Sequence, residues 1–211
     1  MLTVDERGLT VSVPWRTSER YIARFLQDSA AWVLRKLEAR ESQRPLARAW
    51  RDGELLDYLG RQLRVTLSKQ DDYSLAQLQD GDILSLSLPA PHDPAKVRAS
   101  LVKWYRRQAL RYFHARVQYF SGALGVETPR VLLSNARSQW GSCNVRREVR
   151  LSWRLMQAAP HVVDYVVAHE LSHLKEMNHS ARFWHIVERL CPDYASARAE
   201  LDATGQHLMV L

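Results

Sequence analysis

Two cysteines in 211 residues, Cys143 and Cys191, are too few for a disulfide framework. The chain therefore reads as one carrying free thiols, and the cytoplasm is its expected location. No stretch approaches the roughly 18 apolar residues that a membrane-spanning helix needs, so no membrane partner is expected. The opening residues, MLTVDERGLTVSV, have neither the basic flank nor the apolar core of a secretion signal. Internal repeats and low-complexity segments are absent as well, which excludes a solenoid or a repeat array. The shortage of cysteine also argues against a closed structural zinc site, which is usually rich in Cys and has four protein ligands.

What is present is ordinary in bulk: 46% hydrophobic and 25% charged residues suit a soluble globular protein. The charge is skewed, with 30 Lys and Arg against 23 Asp and Glu, a net +7. Its densest cluster lies at residues 98–116 and holds Arg98, Lys103, Arg106, Arg107, Arg111 and Arg116. The same segment places Val97, Leu101, Tyr105, Tyr112 and Phe113 broadly on one side of a helix. The basic residues are read first as the solvated face of that helix. Contact with nucleic acid is the alternative and is not favoured.

The most specific pattern is His169-Glu170-Leu171-Ser172-His173. On a helix, positions four apart lie on one face, so His169 and His173 can present two imidazoles to one cation. Glu170 is turned about 100° from His169 and can reach a water on that cation without being a ligand. This is the division of labour in HExxH zinc hydrolases. The surrounding run, VVDYVVAHELSHL, is apolar almost all round and predicts a buried central helix. Three polar groups on such a helix need partners, and one metal site would serve all three.

A catalytic zinc usually takes three protein ligands and keeps one position open. His179, six residues after His173, has the spacing of a third ligand. His185 is its rival, and Glu176 a weaker one. Asn178 is expected in the left-handed conformation that ends the helix, with Ser180 capping the next one. Cys143 is read as a small buried thiol rather than a nucleophile or ligand, since no basic residue is placed to activate it. Trp140 and Trp184 are expected in the core. Arg137, Tyr165 and His185 are the candidates for stabilising a developing oxyanion.

The run RSQWGSCN at 137–144, followed by VRLSWRLMQAAPHVVDYVVAHELSHLKEMNHSARFW at 149–184, resembles the YgjP-like family of bacterial metallopeptidases, relatives of the SprT-like and Wss1-like zincins. The similarity is close over about 95–200. It is looser before that, through Asp52-Gly53-Glu54 and Tyr58-Leu59-Gly60-Arg61. Gln139 departs from the family, which more often has Arg before the Trp. The resemblance implies His169, His173 and His179 as metal ligands and Glu170 as the catalytic residue, the same four that spacing selects.

Element signals run in the order of an α+β protein: a zincin-like domain with a small antiparallel sheet and the HExxH helix, preceded by a smaller α+β region. One or two strands are predicted within 2–13, then a helix capped by Thr17 or Ser18 and running to about Glu41. Strands follow at 54–58, 62–67 and 83–88. Pro89 to Pro94 is the clearest punctuation, giving an N-terminal region 1–92 and a catalytic domain 93–211. Further strands are predicted at 130–135, 138–142 and 148–154, and helices from Pro160, Ser180 and Tyr194. The expected function is a zinc-dependent hydrolase with one Zn2+ per chain, acting on peptide or protein substrates. A nucleotide or other phosphate ester is the alternative substrate, suited to an Arg-rich rim. A nucleic-acid-associated module with structural zinc is the third reading.

Overall fold

The computed structural model describes residues 2–5, 8–11, 13, 17–35, 50–70, 75–209 and 211. The chain divides into two compact units, Met1–Arg48 and Ala49–Leu211. In the first, strands β1 (Leu2–Asp5) and β2 (Gly8–Val11) pair antiparallel. Helix α1 (Glu19–Asp28) begins where Ser18 accepts the Tyr21 N–H at 3.4 Å, the cap its sequence promised. Residues 30–35 are again helical after a turn at Ser29, and the predicted stretch to Glu41 lies outside the described residues.

The second unit is built around one long helix, α2 (Pro94–Leu124). Asp93 caps it by accepting the N–H groups of Ala95 and Lys96 at 2.9 and 3.4 Å, with Pro94 in the first turn. Gly125, at φ +66°, ends it. Its buried positions include an unbroken row spaced by four: Val97, Leu101, Tyr105, Ala109, Phe113, Val117 and Ser121. The expected boundary at 92/93 falls inside this unit, since the sheet before it packs on α2.

That sheet has the order β3-β4-β6-β5, from β3 (Leu55–Tyr58), β4 (Arg61–Lys69), β5 (Leu75–Gln79) and β6 (Ile83–Leu88). Strands β4 and β6 run parallel and the other pairs antiparallel. Along β6, Leu84, Leu86 and Leu88 are buried, while Ser85 and Ser87 bond to Thr66 and Ser68 of β4 at 3.0 and 2.9 Å. Strand β5 was not expected from the sequence. It is a short edge strand whose LAQLQ pattern carries little alternation of its own.

The second sheet, β7-β9-β8, holds β7 (Arg130–Ser134), β8 (Gly141–Cys143) and β9 (Glu148–Ser152). Here β7 and β9 are parallel and β8 is an antiparallel edge. Strand β9 stops at Ser152 and runs into a 3-10 turn, Trp153–Gln157, instead of continuing to Arg154. The helices that follow are α3 (Pro160–Ser172), α4 (Ala181–Leu190) and α5 (Tyr194–Leu208). The α+β class expected from the sequence is the class observed, but the second sheet is mixed rather than the antiparallel one expected, because β7 joins β9 in parallel.

Two contacts seat the start of α3. The Leu59 N–H donates to the Met156 carbonyl at 2.8 Å. Gly60, at φ +77°, sits so close that a Cβ there would stand 3.3 Å from Pro160 Cδ. Glycine meets both demands at once, since it tolerates the left-handed backbone and leaves room for the proline. The Tyr58-to-Arg61 motif thus acts on α3 from the opposite end of the fold's sequence.

Candidate metal centre

Helix α3 is central, as its composition predicted: Val162, Val163, Tyr165, Val166, Val167, Ala168, Glu170, Leu171 and Ser172 are all buried. The buried Ser172 hydroxyl donates to the Ala168 carbonyl at 2.7 Å, which satisfies it within the helix. Asp164, on the rim of α3, takes a bidentate pair from Arg116 of α2 at 2.6 and 2.8 Å. Arg116 therefore belongs to the scaffold rather than to a free basic face. Arg107 is similarly engaged, donating to the Ala76 carbonyl at 2.9 Å.

His169, His173 and His179 converge. Each offers one ring nitrogen, and these atoms all lie within 4.8 Å of one another. The Nε2 atoms of His169 and His179 are 3.1 Å apart. Two ligands of a tetrahedral zinc, each ~2.0–2.1 Å from it, stand about 3.3 Å apart, so this spacing fits a shared cation. His173 Nδ1 faces the Glu176 carbonyl at 3.2 Å, which leaves its Nε2 for the centre. His169 Nδ1 is buried and finds no partner among the described residues.

Electrostatics favour the same use. Burial, reinforced by the charges of His173, His179 and Arg198, pushes His169 down to about 4. His173 is lowered too, chiefly by burial. At neutral pH both rings are uncharged and present lone pairs, the form a metal requires. Three imidazoles with no carboxylate among them suit a transition metal such as zinc better than Mg2+ or Ca2+.

Beside the triad, Glu170 is only 6% exposed, and burial raises its carboxyl to about 8. The backbone of β8 lies against it: a Cβ on Gly141 would stand 2.6 Å from Glu170 Oε1. Aromatic rings close the other sides. Phe183 lies 4.9 Å from the His169 ring, Trp184 5.8 Å and Tyr165 6.0 Å between centroids. Trp184 and Trp140 are half-buried rather than core residues, and Trp140 packs against α5 at Gly205.

The rivals fall elsewhere. His185 is exposed on α4 outside the cluster, and Glu176 contributes its carbonyl rather than its carboxylate. The ligand elbow also differs from expectation. Helix α3 ends with His173 in right-handed conformation, and Asn178 is absent from the left-handed residues. Asn178 instead accepts the Ser180 N–H through its side chain at 3.0 Å, and the Ser180 hydroxyl makes no capping bond. An Asx turn does the bending that a left-handed residue was expected to do. Cys143 is half-buried, with its thiol pushed up to about 11 by burial and by Glu170, in keeping with an unreactive role.

Sequence reasoning placed Gly141 in the RSQWGSCN run but not against Glu170, and it missed Arg198 of α5, which lies over the Trp184 ring beside the histidines. No local pattern marks either contact, because both span long sequence separations.

Compared with known proteins, the chain matches the description "YgjP-like, metallopeptidase domain" over residues 1–204. It is 27% identical over 124 residues to the UTP pyrophosphatase of Escherichia coli (strain K12), an alignment covering 54% of this chain and 71% of that protein. Among solved structures it is similar to the metallopeptidase zymogen of Pyrococcus abyssi abylysin, with TM-score 0.42 and 20% identity over 44% of this chain and 95% of the other. A second, the zymogen of Methanocaldococcus jannaschii jannalysin, gives TM-score 0.36 and 16% identity over 42% and 94%. Among the described residues, no helix is long and apolar enough to cross a membrane.

Proposed function

The chain belongs to the YgjP-like metallopeptidase family and is a metal-dependent hydrolase; from that premise we propose that it is a zinc-dependent peptidase of the cytoplasm. In this reading His169, His173 and His179 hold one zinc per chain, and residues 93–211 carry the chemistry. When bound there, zinc supplies Lewis acidity, bringing a water near neutral acidity and polarising a carbonyl oxygen. Glu170 takes the proton of the attacking water and returns it to the leaving amine. Its burial supports that role, since a carboxylate held near pH 8 in the free protein is a stronger base than an exposed one. Tyr165, one turn before His169 and kept protonated by burial, is the best placed of the three candidates to donate to an oxyanion.

The observation that carries the peptide reading is the position of β8. It is the edge strand of its sheet and its backbone touches Glu170. An extended peptide pairing with that edge would bring its carbonyls past the proton-transfer residue. The test is incubation of the zinc-loaded chain with denatured protein, with and without chelator. Chelator-sensitive fragments, lost in Glu170→Gln, are the expected result.

One observation favours a second reading, cleavage of a nucleotide: the relative named UTP pyrophosphatase. The same zinc and the same Glu170 would then activate water toward phosphorus. Chelator-sensitive release of pyrophosphate from UTP, with no cleavage of protein, would replace the first reading with this one.

A further inference from the structure

Trp184 of α4 lies between the histidine cluster and helix α5. Its ring centroid is 5.8 Å from that of His169 and 6.1 Å from that of His179. Tyr194, at the start of α5, stacks on it at 5.5 Å and 25°. One turn later Arg198 places its guanidinium carbon 5.4 Å from the same indole centroid. Residues four apart on a helix share a face, so one tryptophan receives both. Arg198 is thus held about one aromatic ring from the triad, with its side chain 54% exposed.

The placement is unfavourable for the resting site. A guanidinium held one aromatic ring from the triad repels any cation bound there. Its acidic neighbour gives little in return: Asp202 is 3.9 Å away, at the limit of an ion pair, and exposed. Among the described residues Asp202 is the one acidic group paired with this guanidinium, which leaves most of its N–H donors to face a ligand. The guanidinium lies within cation–π reach of the indole, and its planar fork is the group with which arginine recognises carboxylate or phosphate through two parallel hydrogen bonds. An oxyanion lying between metal and arginine would turn the repulsion into attraction on both sides.

We propose that Arg198 is the anion-binding residue of this site, holding a carboxylate or phosphate oxyanion of the substrate while the reacting bond lies at the histidine triad. The proposal rests on the triad being a metal centre. It makes the substrate anionic and its recognition dependent on α5, a helix outside the HExxH motif.

Binding to the full chain loaded with cobalt(II) tests this without turnover, because the visible absorption of cobalt reports its ligands. The probes are inorganic phosphate and an acetylated dipeptide with a free terminal carboxylate, the amide-capped dipeptide serving as control. In the wild type at least one oxyanion should bind. Arg198→Gln should weaken that binding about 10–100-fold, with cobalt held at least as tightly as in the wild type and the melting temperature unchanged. Arg198→Lys keeps the charge without the planar fork and should fall between the two. Loss confined to phosphate assigns a phosphoryl substrate, and loss confined to the carboxylate assigns an acidic or C-terminal peptide group. Equal binding by wild type and Arg198→Gln overturns the proposal, as does failure of both anions to bind the wild type. Failure of the wild type to take up cobalt at the triad is a separate result, and it removes the metal centre and this proposal together.

Discussion

Gly141 is the residue against which Glu170 rests: a methyl group there would lie 2.6 Å from both Cγ and Oε1 of the carboxylate and 2.8 Å from its carbon. Such distances are well inside van der Waals contact, so one side or the other has to move. Gly141 also pairs with Leu151 in the β8–β9 ladder, which restrains the strand. The carboxylate is the part with room to yield. Gly141→Ala should therefore leave metal content near that of the wild type and lower turnover by at least ~10²-fold, with a stability cost of about 1–3 kcal/mol. Metal analysis, steady-state rates and thermal melts on one preparation check all three. Full activity in this variant would show that Glu170 does not need its observed position.

Glu170 should also leave a mark on the stability of the metal-free protein. Its carboxyl lies at about 8 when folded, against an ordinary 4.5, so the folded state holds a proton that the unfolded state has lost. The stabilisation is fully present below pH 4.5 and disappears as pH rises through 8. His169 behaves oppositely: with a folded value of about 4 against 6.5, its contribution is complete above pH 6.5 and is lost toward pH 4. Between pH 6.5 and 8 only the Glu170 effect is left of the two. In that window the metal-free wild type should melt at progressively lower temperature as pH rises, and Glu170→Gln should flatten the trend. A parallel slope in both proteins would assign the pH dependence to other groups.

Metal occupancy should follow the triad. The double variant His169→Ala, His173→Ala should lose the metal, and His179→Ala should bind it more weakly. His185→Ala should match the wild type, because that ring is exposed on α4 away from the cluster. Elemental analysis after gel filtration decides each case.

The Arg116–Asp164 pair joins α2 to the helix that carries the motif, with side chains 28% and 23% exposed. A bidentate pair at this depth falls between surface and buried cases, and Asp164→Asn should cost about 2 kcal/mol. For a unit of this size that is a drop in melting temperature of roughly 4–8 °C. Metal affinity should change little, since neither residue reaches the triad. A calorimetric scan at matched metal loading is the measurement.

The convergence of the three histidines was legible because its signal is local. His169 and His173 share a helix face by spacing alone, and His179 is close enough in sequence to be brought back by a short turn. Burial of α3 was equally readable from its unbroken apolar run. What escaped was carried by tertiary contact. Strand β5 exists because β6 offers it an edge, not because LAQLQ insists on extension. The bend before His179 uses the side chain of Asn178 in place of its backbone, two solutions that the same residue supports. Arg198 and Gly141 reach the site from 29 and 28 positions away from His169, and no periodicity links residues so far apart.

The row of buried positions along α2 has a mechanical reading. Successive steps of four residues advance about 40° round a helix, so the row is a slow screw thread rather than a straight stripe. Near the N-terminal end the thread faces the first sheet, where the Tyr105 hydroxyl donates to the Asp57 carbonyl and Trp104 packs on Tyr58. Toward the C-terminal end, beside Val117 of the row, Arg116 pairs with Asp164 of α3. One added residue between Tyr105 and Phe113 would put the two ends of the thread out of phase by about 100°, leaving the sheet seated and the motif helix misaligned. The long helix thus sets the timing between two halves of the domain, as a camshaft does, and its length between those points is as constrained as any side chain in the metal centre.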